Sequence, residues 1–440
     1  MKGLLRAWGL VALLSCVTFV TAQSVSDELR ADVRRAAGMH YALPTDQPWH
    51  DTPPPAGKHP FYINHYGCPS SYYLERSVFH DAPYQTLLRA DSLDKLTEVG
   101  RDVLRRVTLF RKEATDRAGE LTEAGKQQAR EIALQITRRV PEMFTDLSYV
   151  DSRSVVENHC MLTMGEATVQ ISRTHRPMTS VNTASNRYRA WMNPEDKLLE
   201  DQRYDSLTMV RYNEFTARCA PDGKRLMSVL FNDADYVARY IDAAALSRQL
   251  FDLACCTQYT DIVGSAKATG LFDIFTLDEL HGHWLRRNAW AYVRYGGCTL
   301  NGGRQPYTQR RPLWNLIHMG DSVMQFDVPV LNFRFTDEHV FMSLICLLDL
   351  DGYGRQTDNL DSLEAMGWAD YRIAPLGGSV MLIHYRSGKD DPDPLVRVLL
   401  NGREARLPFP SDCVPYYHWK DLKLYYLRKL YAYARERNDE

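Results

Sequence analysis

Cys68 has a side chain that could in principle attack phosphorus. Cysteine phosphatases use the spacing C-x5-R, so that loop amides and an arginine surround one phosphate while the thiolate attacks it. Here the next arginine is Arg76, eight residues on, and Pro69 lies between them. The spacing therefore does not fit that chemistry. Ser70-Ser71 also lacks the G-x-S-x-G context of a hydrolase serine.

Two acids follow a later apolar run, in Arg334-Phe335-Thr336-Asp337-Glu338. Glu338 could act as a proton donor if burial raised its pKa. Asp337 beside it would repel a bound phosphate, since two negative charges at short range oppose each other.

Cys68, Pro69 and the two serines that follow belong to a longer pattern, F-Y-I-N-H-Y-G-C-P-S-S-Y-Y-L at 61–74. It resembles the first strand and active-site loop of the histidine acid phosphatase branch of the histidine phosphatase superfamily. In bacterial proteins similar to multiple inositol polyphosphate phosphatases the segment reads roughly Y-I-S-H-Y-G-R-H-G-S-R-Y-L. The motif G-x-L-T-x-x-G at 119–125 is also similar to that family, and so are three later segments, at 313–321, 399–404 and 415–419. The resemblance therefore spans roughly 61–430.

The resemblance implies a phosphatase loop whose chemistry is missing. In the family, R-H-G-x-R supplies a nucleophilic histidine and two arginines that hold the phosphoryl oxygens. Cys68 and Tyr72 stand at the two arginine positions, Pro69 at the nucleophile and Ser70 at the glycine. Proline has neither a nucleophilic side chain nor a backbone N–H. The sequence therefore predicts a degenerate, catalytically defective site.

Other positions of the family pattern are kept in part. Asp337 and Glu338 stand where the family has histidine and aspartate, in R-F-G-H-D. Arg153 matches a later arginine, and His159 stands where a further arginine is frequent, so the resemblance implies phosphate or ligand binding by this pair. A salt-bridged arginine is an equally good interpretation of Arg153. His65 belongs to a triplet that the family keeps besides its nucleophile, so a structural role is favoured.

The elements that must position these residues show in the hydrophobic pattern. Apolar runs predict strands at 61–66, 147–151 and 330–335, with further strands at 380–385 and 396–400. Helical spacing over 92–115 and 126–139 predicts amphipathic helices, the second with Thr122 as its N-cap. The alternation favours an α/β fold with a mainly parallel central sheet flanked by helices.

The predicted domain organisation combines this pattern with the family's architecture. Residues 1–22 are predicted to be a signal peptide and 23–60 a polar lead-in. The α/β core would comprise 61–166 and 291–430, and a helical cap inserted into it would occupy 167–290. The leader has a positive start (Lys2 and Arg6), an apolar stretch and small residues before Gln23. Export to the periplasm, the cell surface or the medium is therefore expected; lipidation at Cys16 is left open.

Composition excludes some functions and leaves others open. The chain has 440 residues with a net charge of −2, which gives no basic surface for nucleic acid. No stretch predicts a transmembrane span. Cysteine and histidine spacing does not indicate zinc, and no cofactor is expected. In an oxidising compartment, the eight cysteines after the leader predict one or two disulfide bridges beside buried thiols.

Three interpretations remain open on sequence alone. The first is a defective phosphatase that keeps a binding role, with an anionic or phosphorylated small molecule held by Arg153 and cap residues such as Arg173, His175 and Arg176, or with a protein as its ligand. The second is an active phosphomonoesterase with a relocated nucleophile. The third is a surface interaction protein.

Overall fold

The structure, a computed structural model, describes residues 24–73, 78–175, 179–260 and 270–438. Its centre is an eight-stranded sheet in the order β10-β8-β7-β1-β5-β2-β3, with β9 paired to β8, and β4 and β6 form a separate pair. The strands are β1 His59–Gly67, β2 Tyr149–Ser154, β3 Thr179–Ala184, β4 Gly297–Cys298, β5 Val330–Phe335, β6 Gln356–Thr357, β7 Ser379–Arg386, β8 Leu395–Leu400, β9 Arg403–Glu404 and β10 Tyr416–His418.

Helices cover both faces of the sheet, and a further group lies between β3 and β4. The α-helices are α1 Val25–Ala31, α2 Val78–Ser92, α3 Glu98–Ala114, α4 Glu123–Arg139, α5 Asn158–Thr174, α6 Arg189–Met192, α7 Lys197–Gln202, α8 Ser206–Cys219, α9 Lys224–Leu230, α10 Ala234–Tyr240, α11 Ala243–Thr257, α12 Leu277–Tyr295, α13 Arg310–Val323, α14 Glu338–Leu348, α15 Asp370–Ile373 and α16 Trp419–Asn438. Short 3₁₀ helices are Val33–His40, Pro141–Met143, Asn186–Tyr188, Phe272–Ile274, Thr299–Asn301, Gln305–Gln309, Leu350–Gly352 and Leu360–Ser362.

The parallel half of the sheet places the functional loops. Strands β1, β5, β2 and β3 run parallel, and Gly67 and Ser154 both pair with Phe335. The carboxyl ends of three strands therefore meet at one edge, where ligands bind in open α/β sheets. β5 is buried along its whole length, as expected for a parallel strand covered on both faces.

The predicted α/β fold is confirmed, with two details that the pattern did not show. β7, β8 and β10 form an antiparallel half of the sheet. The range 167–290 is mostly helical, but it contains β3, which pairs with β2 and extends the central sheet. Thr122 caps α4 through its side chain, as predicted. The proposed domain boundaries remain predictions, and the predicted signal peptide lies outside the described residues.

Two further findings concern cysteines and membranes. Cys68, Cys160, Cys219, Cys255, Cys256, Cys298, Cys346 and Cys413 are all free thiols, so the expected bridges are not formed. Within the described ranges, no helix is long and apolar enough to cross a membrane.

Candidate functional site

The loop after β1 is held by hydrogen bonds that use its own backbone amides. The Cys68 amide donates to the carbonyl of Gly378 at 2.7 Å. The Ser70 amide donates to Thr163 Oγ1 at 3.0 Å, and the Ser71 amide to Gln128 Oε1 at 3.1 Å. Pro69 has no amide hydrogen to donate. A phosphate-binding loop needs free amides that point at the anion, and residues 68–71 already use theirs within the protein.

Gly125, in the first turn of α4, is the last glycine of the G-x-L-T-x-x-G segment. A Cβ atom at this position would lie 1.9 Å from the carbonyl oxygen of Ser71. The Thr122 amide donates to that same oxygen at 3.1 Å. Glycine at 125 therefore lets α4 approach the loop closely enough to fix its path.

A cluster of side chains from distant parts of the chain lies beside this loop. The Tyr72 hydroxyl donates to Glu338 Oε1 at 3.2 Å, and its ring stacks on His159 with 4.3 Å between centroids. His159 Nε2 lies 2.9 Å from Asp337 Oδ1. The predicted positions Tyr72, His159, Asp337 and Glu338 thus form one site, which we call the Asp337 cluster.

Two residues that sequence reasoning missed complete the Asp337 cluster. Cys160 Sγ lies 3.5 Å from Asp337 Oδ1, and Asn193 Nδ2 donates to Asp337 Oδ2 at 3.3 Å. Cys160 directly follows His159 in α5, and its position next to a predicted site residue is the signal that could have identified it. Asn193 comes from the end of α6, where nothing in the sequence pointed to the site.

The cluster is anionic. Burial raises the pKa of the Asp337 carboxyl, but the hydrogen bond from His159 and the nearby His339 and His159 rings together lower it by more. The pKa of Asp337 therefore lies below its ordinary value. Asp337 is therefore ionised although it is buried. In the described part of the chain neither Asp337 nor Glu338 forms an ion pair with lysine or arginine, so the electrostatics disfavour a phosphate dianion.

The thiols of Cys68 and Cys160 and the phenol of Tyr72 are protonated near neutral pH, because burial raises the pKa of each. Burial, followed by the charges of Glu338 and Asp337, raises the pKa of Cys68 well above its usual value. Burial and Glu338 likewise raise the pKa of Tyr72 well above its usual value. Since the thiolate is the nucleophilic form of cysteine, Cys68 is a poor nucleophile here.

Arg153 lies on β2 and is occupied by other partners. Its guanidinium forms an ion pair with Asp151 at 2.9 Å and lies over the ring of Tyr188, 4.4 Å from the centroid. Asp151 also pairs with buried Arg334 at 3.0 Å. This geometry matches the salt-bridged interpretation of Arg153. Among the described residues, no hydrogen bond or ion pair joins Arg153 to the Asp337 cluster. The ligand-binding role of Arg153 stays a prediction.

The other predicted basic residues lie away from the cluster or outside the described ranges. Arg173 is exposed on α5, and the His175 ring stacks on Phe144. Arg176 lies outside the described residues.

His65 occupies a core position. Its ring packs against Phe333 and Phe335, with centroids 5.3 and 5.8 Å away. Burial, helped by the charge of Arg334, lowers the pKa of His65 to about 3. The ring is therefore neutral near neutral pH and contacts no member of the Asp337 cluster, in line with the structural role predicted for it.

Comparison with known proteins adds structural neighbours only. No family model matches the sequence, and neither does any curated protein. The crystal structure of Bifidobacterium longum multiple inositol polyphosphate phosphatase in complex with inositol hexasulfate superposes with a TM-score of 0.71 at 13% identity, covering 88% of this chain and 97% of that one. The phytase from D. castellii gives a TM-score of 0.64 at 12% identity, covering 90% and 85%.

These neighbours establish the architecture of the chain. The sheet order, the flanking helices and the superposition define an α/β protein with a histidine-phosphatase-type fold. Two neighbours that share this fold are a multiple inositol polyphosphate phosphatase and a phytase.

Proposed function

We propose that this protein is exported, that it has lost phosphoryl-transfer activity, and that its former active site keeps a binding role. The observation that carries the proposal is the loop at 68–71. It offers no nucleophile at Pro69, and its amides are used within the protein. Both features oppose the covalent and electrostatic parts of phosphoryl transfer.

The charge of the site supports the same proposal. Phosphoryl transfer needs cations around the transferring group, whereas the Asp337 cluster contains two carboxylates without a lysine or arginine partner among the described residues. The second interpretation, a relocated nucleophile, is opposed by the protonated Cys68 thiol and by the buried position of His65.

Phosphate release from p-nitrophenyl phosphate and inositol hexakisphosphate, measured across acidic to neutral pH, tests the proposal. We expect no rate above that of a buffer and mock-purification control. Cys68→Ser and His65→Ala are the matched variants, and both should match the wild type. Robust turnover by the wild type that either variant abolishes would establish a relocated nucleophile instead.

An anionic small molecule is the proposed ligand class, held by basic residues such as Arg153 and Arg173, because the carboxylates of the Asp337 cluster do not attract it by themselves. The support is that the B. longum enzyme was crystallised with inositol hexasulfate and also with phosphate. Isothermal titration calorimetry with inositol hexakisphosphate, in the absence of turnover, tests this part. Absence of heat above dilution would leave the loss of catalysis standing and remove the anionic ligand.

Export is tested by the intact mass of protein recovered from the native envelope or medium. We expect the first 22 residues to be absent, so that the mature chain begins at Gln23, because the leader has the order of a cleaved signal. A full-length product in the cytosol would contradict this.

A further inference from the structure

The Asp337 cluster contains donor atoms of a kind that cations bind. Nitrogen of His159, sulfur of Cys160 and a carboxylate oxygen of Asp337 all lie within 4.8 Å of one another, and all three residues are buried. Thiolate, imidazole and carboxylate together suit zinc, whereas magnesium and calcium prefer sets of oxygen ligands.

Two of the three donor–donor distances are close to those of a tetrahedral zinc site. Zinc–sulfur bonds of about 2.3 Å and zinc–oxygen bonds of about 2.0–2.2 Å place the two ligand atoms about 3.5 Å apart. Cys160 Sγ and Asp337 Oδ1 are 3.5 Å apart. His159 Nε2 and Asp337 Oδ1, at 2.9 Å, need to separate by roughly half an ångström for an ion to sit between them.

The surroundings orient these donors. Asn193 donates to the second oxygen of Asp337, which fixes the carboxylate plane. Tyr72 stacks on the His159 ring, and the Thr163 hydroxyl donates to the His159 carbonyl at 2.7 Å. Such outer partners set the orientation of metal ligands in proteins and tune metal affinity.

Charge also favours a cation. Asp337 and Glu338 place two carboxyl groups in the cluster, and neither forms an ion pair with lysine or arginine in the described ranges. Glu338 Oε2 is buried and accepts no hydrogen bond there. An uncompensated buried carboxylate is costly, and a bound divalent cation is one way in which proteins offset that cost.

We propose that His159, Cys160 and Asp337 bind one Zn²⁺, with water in the fourth position. Binding forms a Zn–S bond and releases the Cys160 thiol proton to solvent. The Nε2 proton that His159 donates to Asp337 is released to solvent, with Nδ1 carrying the ring proton, so that the neutral imidazole binds through Nε2. This deepens the proposed binding role and rests on it, since the open fourth position gives an anionic ligand an attachment point that the side chains of the Asp337 cluster lack.

Zinc titration of the metal-free mature chain by calorimetry, in phosphate-free buffer, is the primary test. We expect one Zn²⁺ per chain. Cys160→Ser and Asp337→Asn should weaken binding by more than the 10–100-fold that outer-partner changes produce, and Asn193→Leu should weaken it by about tenfold. Cobalt substitution should show a thiolate charge-transfer band that Cys160→Ser removes.

A second cluster in the chain supplies the matched control. Asp412, Cys413 and His418 also place three donor atoms close together, but at the surface. Cys413→Ser should leave zinc binding unchanged. Zinc uptake that survives Asp337→Asn and disappears in Cys413→Ser would overturn the proposal, as would native protein that takes up no zinc or that has Cys160 in a disulfide.

Folding of each variant is checked by circular dichroism. If Cys160→Ser does not fold, Asp337→Asn decides the question, because it keeps the size and shape of the side chain. Phosphate release is measured separately from zinc binding. Absence of zinc binding would refute the zinc site alone. Phosphatase activity would refute the proposed loss of catalysis, so the two failures are distinguishable.

Discussion

Among the described residues, four histidines whose pKa is lowered by desolvation make the stability of this protein sensitive to mild acid. Burial lowers the pKa of each to about 3, with help from nearby arginines at His40, His65 and His283 and from burial alone at His384. In the unfolded chain a histidine has a pKa of about 6.5. The unfolded state therefore binds more protons than the folded state between about pH 6.5 and 3, and stability falls as the pH falls through that window.

The magnitude follows from the linkage relation. Lowering the pH from 7.5 to 5.5 costs about 1.4 kcal/mol of unfolding free energy for each histidine that stays neutral when folded, or about 5–6 kcal/mol for four. His418 acts in the opposite sense: hydrogen bonds to Asp412 and Asp393 raise its pKa, so it offsets part of the loss. Domains are commonly stable by about 5–15 kcal/mol, so the change is a large fraction of the total.

Urea denaturation of the metal-free protein at pH 7.5 and 5.5, followed by circular dichroism, measures this change. His384→Phe should remove about a quarter of it, because His384 packs against Tyr62 and Trp419 with centroids 4.9 and 4.8 Å away and phenylalanine suits that site. The control is His59→Phe at an exposed position, which should keep the wild-type change. A wild-type change below about 2 kcal/mol, or an unaltered change in His384→Phe, would refute the reasoning, since linkage requires about 1.4 kcal/mol for each such histidine.

Three further outcomes test the loop and its supports. Pro69→His alone should leave phosphate release at background, because each missing electrostatic donor is worth about 10²–10³ in rate; measurable turnover would show that the nucleophile was the only loss. Gly125→Ala should lower the urea midpoint by the equivalent of about 1–3 kcal/mol, because the new Cβ atom clashes with the loop. Gly165→Ala, the control, has open space at its Cβ position and should not lower the midpoint. Equal midpoints for the two variants would contradict the close approach of α4 to the loop. Asp151→Ala should destabilise by about 3–5 kcal/mol by leaving buried Arg334 unpaired, and a loss under about 1 kcal/mol, the value of an exposed pair, would argue against that ion pair.

β1 and β5 could be predicted because they are largely apolar, whereas the run at 147–151 predicted only the first half of β2, which ends in polar residues. β3 could not be predicted, since Thr-Ser-Val-Asn-Thr-Ala has no apolar alternation and is mostly exposed. It is held as a strand by its parallel register with β2, which is a tertiary effect. Tertiary context commonly overrides local propensity in strands.

The candidate site was predictable position by position, but its contacts were not. The family pattern placed Tyr72, Asp337 and Glu338 at one sheet edge, and the structure brings them together. Cys160 and Asp337 are 177 residues apart in sequence, so no spacing rule links them. The arrangement of donors around Asp337 depends on how α5 packs beside the end of β5, which local pattern does not encode.

The amides of the loop at 68–71 are bonded to other elements of the protein, whereas the amides of a phosphate-binding loop are free to hold the anion. Its hydrogen bonds join the turn before β7, the first half of α4 and the first half of α5. Functional sites usually reduce stability, because polar groups are held ready for a ligand rather than paired within the protein. Here these groups are paired, so the loop contributes to the scaffold. Engineering phosphoryl transfer into this chain would therefore have to break stabilising bonds at the loop, and compensating stabilisation elsewhere would be needed before activity could be gained.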